Sequence, residues 1–118
     1  MIDMTNEMEI QIYEALERRF GCNGQIIVAI KELAELTQAL TKWLRYTQFL
    51  SEGSLNDVRA NIREEIADAS IMLNQLELMF GDTSDIQEQK LQRMYELVED
   101  MFDENGKLKP MHWWREEE

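Results

Sequence analysis

The chain has 118 residues, enough for one domain with a single core. Its formal net charge of −12 repels nucleic acid and anionic membranes, so we expect neither as a partner. The single cysteine, Cys22, excludes an internal disulfide and a multi-thiolate zinc site. The chain has no 18-residue apolar run and no signal-like start, so we expect a cytoplasmic protein.

One proline and five glycines leave long uninterrupted segments, which favours an all-α, four-helix bundle-like fold. Asn6 and Ser54 are the expected caps of the first and third helices, and Gly81 is the expected end of the third. A turn is predicted at residues 21–24 and a break at residues 51–53. In chain order, the predicted helices cover residues 6–20, 25–50, 55–80 and 84–102.

Residues 1–103 are predicted to form the single domain, and residues 104–118 a tail. The tail contains a turn signal at Asn105-Gly106 and three residues of open role, His112, Trp113 and Trp114.

Helical wheels at 100° per residue predict which sides of the two central helices are buried. On the second helix, a strip of Val28, Ala39 and Trp43 indicates a second surface that faces another helix or a ligand. The expected core stripe of the second helix is Ile26, Ile30, Leu33, Leu36, Leu40 and Leu44. That of the third helix is Val58, Ile62, Ile66, Ala69, Leu73, Leu76 and Phe80.

Two pairs of carboxylates lie beside or within these apolar stripes. Glu32 and Glu35 are three residues apart on the second helix, and Glu65 and Asp68 are three apart on the third. Removing several carboxylates from water together is unfavourable unless cations neutralise them. The four residues therefore predict a bound metal, and a metal in turn indicates a phosphate-bearing substrate.

The ligand types narrow the choice of metal. Sets of oxygen ligands suit magnesium, manganese or calcium, and magnesium binds substrate phosphates beside one or two carboxylates. A carboxylate-bridged di-iron site is disfavoured because it needs Glu-x-x-His motifs, and the only histidine is His112. The alternative is structural ion pairing, for which Lys31, Lys42 and Arg63 are available.

The carboxylate motifs and their flanks resemble the MazG-like, all-α nucleoside triphosphate pyrophosphohydrolases of the small phage and prophage type. The family motif, E-x-x-E followed by E-x-x-D on the next helix, reads ELAE at 32–35 and EIAD at 65–68. The resemblance covers about residues 8 to 98. The link between the motifs is rather long, Lys31 stands where the family commonly has another glutamate, and the tail has no recognised counterpart.

The resemblance implies hydrolysis of a (deoxy)nucleoside triphosphate to monophosphate and pyrophosphate with Mg²⁺, or Mn²⁺ as a substitute, in nucleotide-pool house-cleaning. It implies that Glu32, Glu35, Glu65 and Asp68 hold the metal. Glu35 and Glu65 are the expected catalytic residues, with Glu35 orienting water.

Four further side chains are candidates for substrate binding. Lys90 and Arg93 match a basic pair of the phage-type relatives, although local ion pairs on a solvated face explain them equally well. Lys42, about two turns beyond Glu35, is a further candidate for holding phosphate. Asn61, one turn before Glu65, is a candidate for a hydrogen bond to the substrate, although capping or contact with solvent explains it equally well.

The amphipathic faces exceed what one four-helix monomer buries, so a homodimer or homotetramer is expected. In a cyclic dimer, the strip of Val28, Ala39 and Trp43 would face its own copy. Two functions compete with the enzyme: a non-catalytic helical interaction module, and a nucleotide-binding regulator without turnover.

Overall fold

The computed structural model describes residues 5–49 and 55–110. These residues form four α-helices and one short 3₁₀ turn, so the all-α prediction is confirmed for this part of the chain. Within it, no helix combines the length and apolar character that a bilayer-crossing segment needs. The elements are α1 (Asn6–Phe20), α2 (Cys22–Phe49), α3 (Leu55–Phe80), α4 (Ser84–Val98) and the 3₁₀ turn Glu99–Met101.

The structure differs from the prediction at the N-terminal cap of α1 and at the connection between α1 and α2. Thr5, rather than the predicted Asn6, caps α1, because its Oγ1 accepts a hydrogen bond from the Met8 amide at 3.1 Å. The predicted turn over residues 21–24 is wrong, since only Gly21 lies outside a helix. A glycine at φ 83° reverses the chain in one step, and α2 then begins at Cys22.

Gly81 ends α3, as predicted. Its φ of 117° lies in the region that only glycine adopts readily, and its N–H donates to the Glu77 carbonyl at 2.7 Å. The expected Ser54 cap and the break at residues 51–53 lie outside the described residues.

After α4, the position where the helix ends differs from the prediction, whereas the turn that follows agrees with it. The α-helix stops at Val98 rather than near Phe102, because the chain tightens into the 3₁₀ turn and Phe102 then pairs antiparallel with Leu108. The predicted turn at Asn105-Gly106 is confirmed, with Gly106 at φ 78°. The Asp103 carboxylate accepts from the amides of Asn105 and Lys107, both at 2.9 Å. His112, Trp113 and Trp114 lie outside the described residues.

Two compact units divide the chain between Gly81 and Asp82. In the first, α1 contacts both α2 and α3. Its Tyr13 is buried and donates a hydrogen bond to Glu9, which also accepts one from the Asn74 amide on α3 at 3.3 Å. In the second, the Tyr95 and Phe102 rings pack 5.2 Å apart.

The first unit is organised around α2 and α3, which run antiparallel. Near one end, the sulfurs of Cys22 and Met79 lie 3.8 Å apart. Near the other, the Arg59 guanidinium lies 6.0 Å from the centre of the Trp43 ring. The start of α2 therefore meets the end of α3, and the end of α2 meets the start of α3.

The contact between these helices follows a seven-residue repeat. Along each helix, one series of buried or half-buried residues alternates four and three positions apart, which is the spacing of a coiled coil. We call these residues the seam. On α2 they are Gln25, Ala29, Glu32, Leu36, Ala39, Trp43 and Tyr46, and on α3 they are Val58, Ile62, Glu65, Ala69, Met72, Leu76 and Met79.

The predicted core stripes are partly wrong, because Ile30 (62% exposed) and Phe80 (72%) are examples of stripe residues that lie outside the seam. On α2 the predicted stripe is displaced by one position, about 100° of rotation, because Ile26, Ile30, Leu33, Leu40 and Leu44 each directly follow a seam residue. The seam itself carries small and polar side chains such as Ala29, Glu32 and Ala39, so the larger apolar residues beside it give the stronger hydrophobic pattern. The exposed members of the predicted stripes are Ile30, Leu40, Leu44, Ile66, Leu73 and Phe80.

The same register corrects the expected dimer strip. Ala39 is 3% exposed and Trp43 is half-buried at the seam, so both pack against α3. Of the three, Val28 alone is exposed, at 37%. Ala39 and Trp43 therefore face another helix, which agrees with one of the two predicted alternatives, and that helix belongs to the same chain rather than to a second copy.

Candidate metal centre and adjoining groove

The seam places two of the four candidate carboxylates between α2 and α3. Glu32 and Glu65 occupy seam positions, whereas Glu35 and Asp68 each immediately precede one. Alanines recur along the same seam, and their small side chains allow a close approach of the two backbones. Ala29, Ala39 and Ala69 are all at most 3% exposed. The carboxylates therefore meet where the helices lie close together.

Three of the predicted ligands converge. One carboxylate oxygen from each of Glu32, Glu65 and Asp68 lies within 4.8 Å of the others. Glu35 is not part of this cluster, but it lies close enough to Glu32 and Glu65 to affect the ionisation of both. The two E-x-x-[ED] motifs thus meet across the seam, with Glu35 at the border of the cluster.

The electrostatics of the cluster favour its neutral form. Burial is the largest cause that raises the pKa of both Glu32 and Glu65 above the ordinary carboxyl value. The negative charges of Glu35 and Asp68 raise both pKa values further. Lys31 lowers the pKa of Glu32, but this opposing effect is smaller. The protein therefore holds like charges together at an energetic cost.

Hydrogen bonds and ion pairs do not offset this cost. The buried Oε2 atoms of Glu32 and Glu65 have no hydrogen-bond partner in the described part of the chain. Lys31 forms an ion pair with Glu35 at 3.9 Å, and both side chains are partly exposed. No ion pair with Lys42 or Arg63 occurs among residues 5–49 and 55–110.

The donor set fits one hard divalent cation. Two oxygens on opposite sides of an ion, at about 2.1–2.4 Å from it, are roughly 4.2–4.8 Å apart. The three clustered oxygens match this separation, and the two orphaned Oε2 atoms supply unused lone pairs. Carboxylates alone suit magnesium, manganese or calcium rather than zinc or copper.

A groove of about 690 Å³ adjoins the cluster. It brings the predicted substrate residues Lys42 and Asn61 together with Glu35 and Glu65. The remaining lining residues are Gln38, Ala39 and Arg45. Gln38 and Arg45 were not predicted from the sequence, although a seven-residue register aligns them with Lys31 on the side of α2 that carries Glu35.

The other two predicted substrate residues lie in the second unit. Lys90 and Arg93 are both exposed on α4. Their contact with phosphate stays a prediction. Trp43 is half-buried at the seam, with the Arg59 guanidinium over its ring.

Comparison with known proteins adds no assignment, because no family model, curated protein or solved structure matches the chain. The resemblance drawn from the two carboxylate motifs therefore stays a prediction.

Proposed function

We propose that this protein is a magnesium-dependent nucleoside triphosphate pyrophosphohydrolase of the MazG-like type, converting a (deoxy)nucleoside triphosphate to its monophosphate and pyrophosphate. The observation that carries the proposal is the convergence of the Glu32, Glu65 and Asp68 oxygens, with no lysine or arginine of the described residues paired to Glu32 or Glu65. A structural carboxylate in such a seam would be expected to pair with lysine or arginine. A role in nucleotide-pool house-cleaning follows from the resemblance alone.

The groove supports a phosphate-bearing substrate. Its lining joins carboxylates at one end to Lys42 and Arg45 at the other. A phosphate chain that is bridged to carboxylates by a divalent cation complements both ends, whereas a neutral ligand complements neither.

Each residue has a defined task in the proposed reaction. Glu32, Glu65 and Asp68 hold the ion, which when bound would neutralise their charge and that of the phosphates. Glu35 accepts a hydrogen bond from water, orients it toward the α-phosphorus and takes up its proton as the water attacks. The water oxygen forms the new P–O bond, and the bond to the bridging oxygen breaks, leaving its electron pair on pyrophosphate. Asn61 donates from its amide to a phosphate oxygen.

The direct test is a screen of common nucleoside triphosphates and deoxyuridine triphosphate with magnesium, with monophosphate and pyrophosphate measured. Glu65→Gln removes a charged ligand at nearly constant shape, so kcat should fall by about a hundredfold or more while the helical circular dichroism is unchanged. The control is Glu64→Gln, whose exposed carboxylate lies outside the cluster and whose loss should change kcat little. Full activity in Glu65→Gln would refute the assignment.

Thermal stability and pyrophosphate release, measured on the same protein preparation, distinguish the enzyme from the two competing functions. A helical interaction module would gain no thermal stability from magnesium plus a non-hydrolysable nucleotide analogue, whereas the enzyme should. A nucleotide-binding regulator would gain stability but release no pyrophosphate. The lack of cation partners at Glu32 and Glu65 favours the metal-dependent functions over the module.

We also propose that the protein forms a homo-oligomer, and we place its interface on a different surface from the strip of Val28, Ala39 and Trp43. Because α2 and α3 are antiparallel, residues that follow the seam positions Glu32, Ala39, Glu65, Met72 and Met79 share one side of the pair. We call the apolar residues on this side the apolar flank, and we include Ile30 and Leu44, which follow the seam positions Ala29 and Trp43. It comprises Ile30, Leu33, Leu40, Leu44, Ile66, Leu73 and Phe80.

The apolar flank fits a second copy of the chain. All its residues but the half-buried Leu33 are at least 46% exposed. Together they expose roughly 600 Å² of apolar surface, the upper end of what monomers carry and close to the ~800 Å² per partner of a standard interface. The groove residues Glu35, Lys42 and Asn61 precede seam positions, so they lie on the opposite side and remain accessible in such a dimer.

A further inference from the structure

The groove has an ordered distribution of charge along α2. Glu35 and Glu65 lie at its acidic end beside the candidate metal ligands. Lys42 and Arg45 follow Glu35 by seven and ten residues, which places their backbones about 10 Å and 15 Å farther along the helix. The groove therefore changes from negative to positive over a distance that a phosphate chain and two long side chains together span.

Nothing in the described part of the chain neutralises the basic end. Neither Lys42 nor Arg45 forms an ion pair among residues 5–49 and 55–110, and both side chains are exposed. Two unpaired cations that line one groove are a suitable site for a dianionic group.

We propose that Lys42 and Arg45 bind the distal phosphates of the substrate and so fix its direction in the groove. The α-phosphate then lies at the carboxylate end, and the nucleoside extends from there toward the N-terminal half of α2. This inference rests on the proposed function, and it adds the orientation of the substrate and Arg45 as a binding residue.

The two cations contribute differently to this end of the groove. The planar guanidinium of Arg45 donates two parallel hydrogen bonds to one phosphate, whereas the Lys42 ammonium acts as a compact charge. A monophosphate at the carboxylate end leaves both side chains without contact. The groove should therefore prefer triphosphate to monophosphate, and Arg45 should account for much of that preference.

The test is isothermal titration calorimetry with magnesium and two probes. The first is a nucleoside triphosphate with a methylene group in place of the α–β bridging oxygen, and the second is the matching monophosphate. Arg45→Gln should weaken binding of the triphosphate analogue about tenfold or more and leave monophosphate binding unchanged. Arg45→Lys should recover part of the loss because it restores charge without the bidentate geometry. Lys42→Gln should act in the same direction as Arg45→Gln.

The control is Arg63→Gln, which removes an exposed arginine of α3 that does not line the groove. It should leave both affinities unchanged. Equal weakening of both probes by Arg45→Gln would overturn the proposed direction, and unchanged binding of both would remove Arg45 from the site. These outcomes compare variants with the wild type and are therefore distinct from failure of the proposed function. In that case the wild-type chain would bind no triphosphate analogue, as an interaction module would, or would bind it but release no pyrophosphate from a natural triphosphate.

Discussion

Ala69→Leu tests whether the close approach of α2 and α3 supports the metal centre. Ala69 is a seam residue, 3% exposed, four positions after Glu65 and one after Asp68. A leucine there adds three carbons where no space is left, and overpacking of this kind costs about 1–3 kcal/mol. Because the strain is relieved by separating the helices, the Glu32 and Glu65 oxygens should also move apart.

The assay is thermal unfolding followed by circular dichroism, at one protein concentration, with and without magnesium. At about 4 °C per kcal/mol, the melting temperature of Ala69→Leu should fall by roughly 4–12 °C. The increase in melting temperature on adding magnesium should be smaller for Ala69→Leu than for the wild type. Ala67→Leu is the matched control, since Ala67 is exposed on the same helix and leucine is nearly as good a helix former as alanine.

Two results would refute this reasoning. A melting temperature for Ala69→Leu that equals that of Ala67→Leu would show that the seam is not tightly packed at this point. A normal increase with magnesium, despite a clear loss of stability, would show that the metal response does not depend on the spacing of the helices.

Two further predictions concern pH and assembly. The raised pKa values of Glu32 and Glu65 contribute stability below the ordinary value of 4.5 that is lost as pH rises through the raised values. In EDTA, the wild type should therefore lose stability relative to Glu32→Gln/Glu65→Gln as pH rises above 4.5; parallel curves of melting temperature against pH would contradict this. Leu73→Gln removes about 1 kcal/mol of burial per copy, so the dimer dissociation constant should rise about thirtyfold by analytical ultracentrifugation. Leu78→Gln, on the other side of α3, should have little effect, and a wild-type monomer would refute the interface.

Features that depend on local spacing were predictable from the sequence. The bounds of α1 and the end of α3 at Gly81 follow from capping residues and a glycine, and they agree with the structure. The convergence of Glu32 with Glu65 and Asp68 was also anticipated, because i, i+3 pairs on consecutive antiparallel helices project toward a common space.

Features that depend on long-range register were not predictable in the same way. The buried side of α2 was misassigned because the seam carries small residues such as Ala29 and Ala39, whereas the larger Ile30 and Leu40 lie one position outside it. Arg45 was missed because its place in the groove depends on which side of α2 faces α3, and local spacing does not determine this. The cap at Thr5 was missed because Asn6 is an equally good capping residue by type.

The heptad spacing of the α2–α3 pair also limits how this protein can change in length. Insertion of a single residue between Glu35 and Lys42 would turn every later side chain of α2 by about 100° and remove the cations from the groove. Insertion of seven residues into each helix at matched points would preserve every facing pair. Homologous chains should therefore differ in the length of this pair by whole heptads, and a longer groove would accommodate a longer ligand without a new fold.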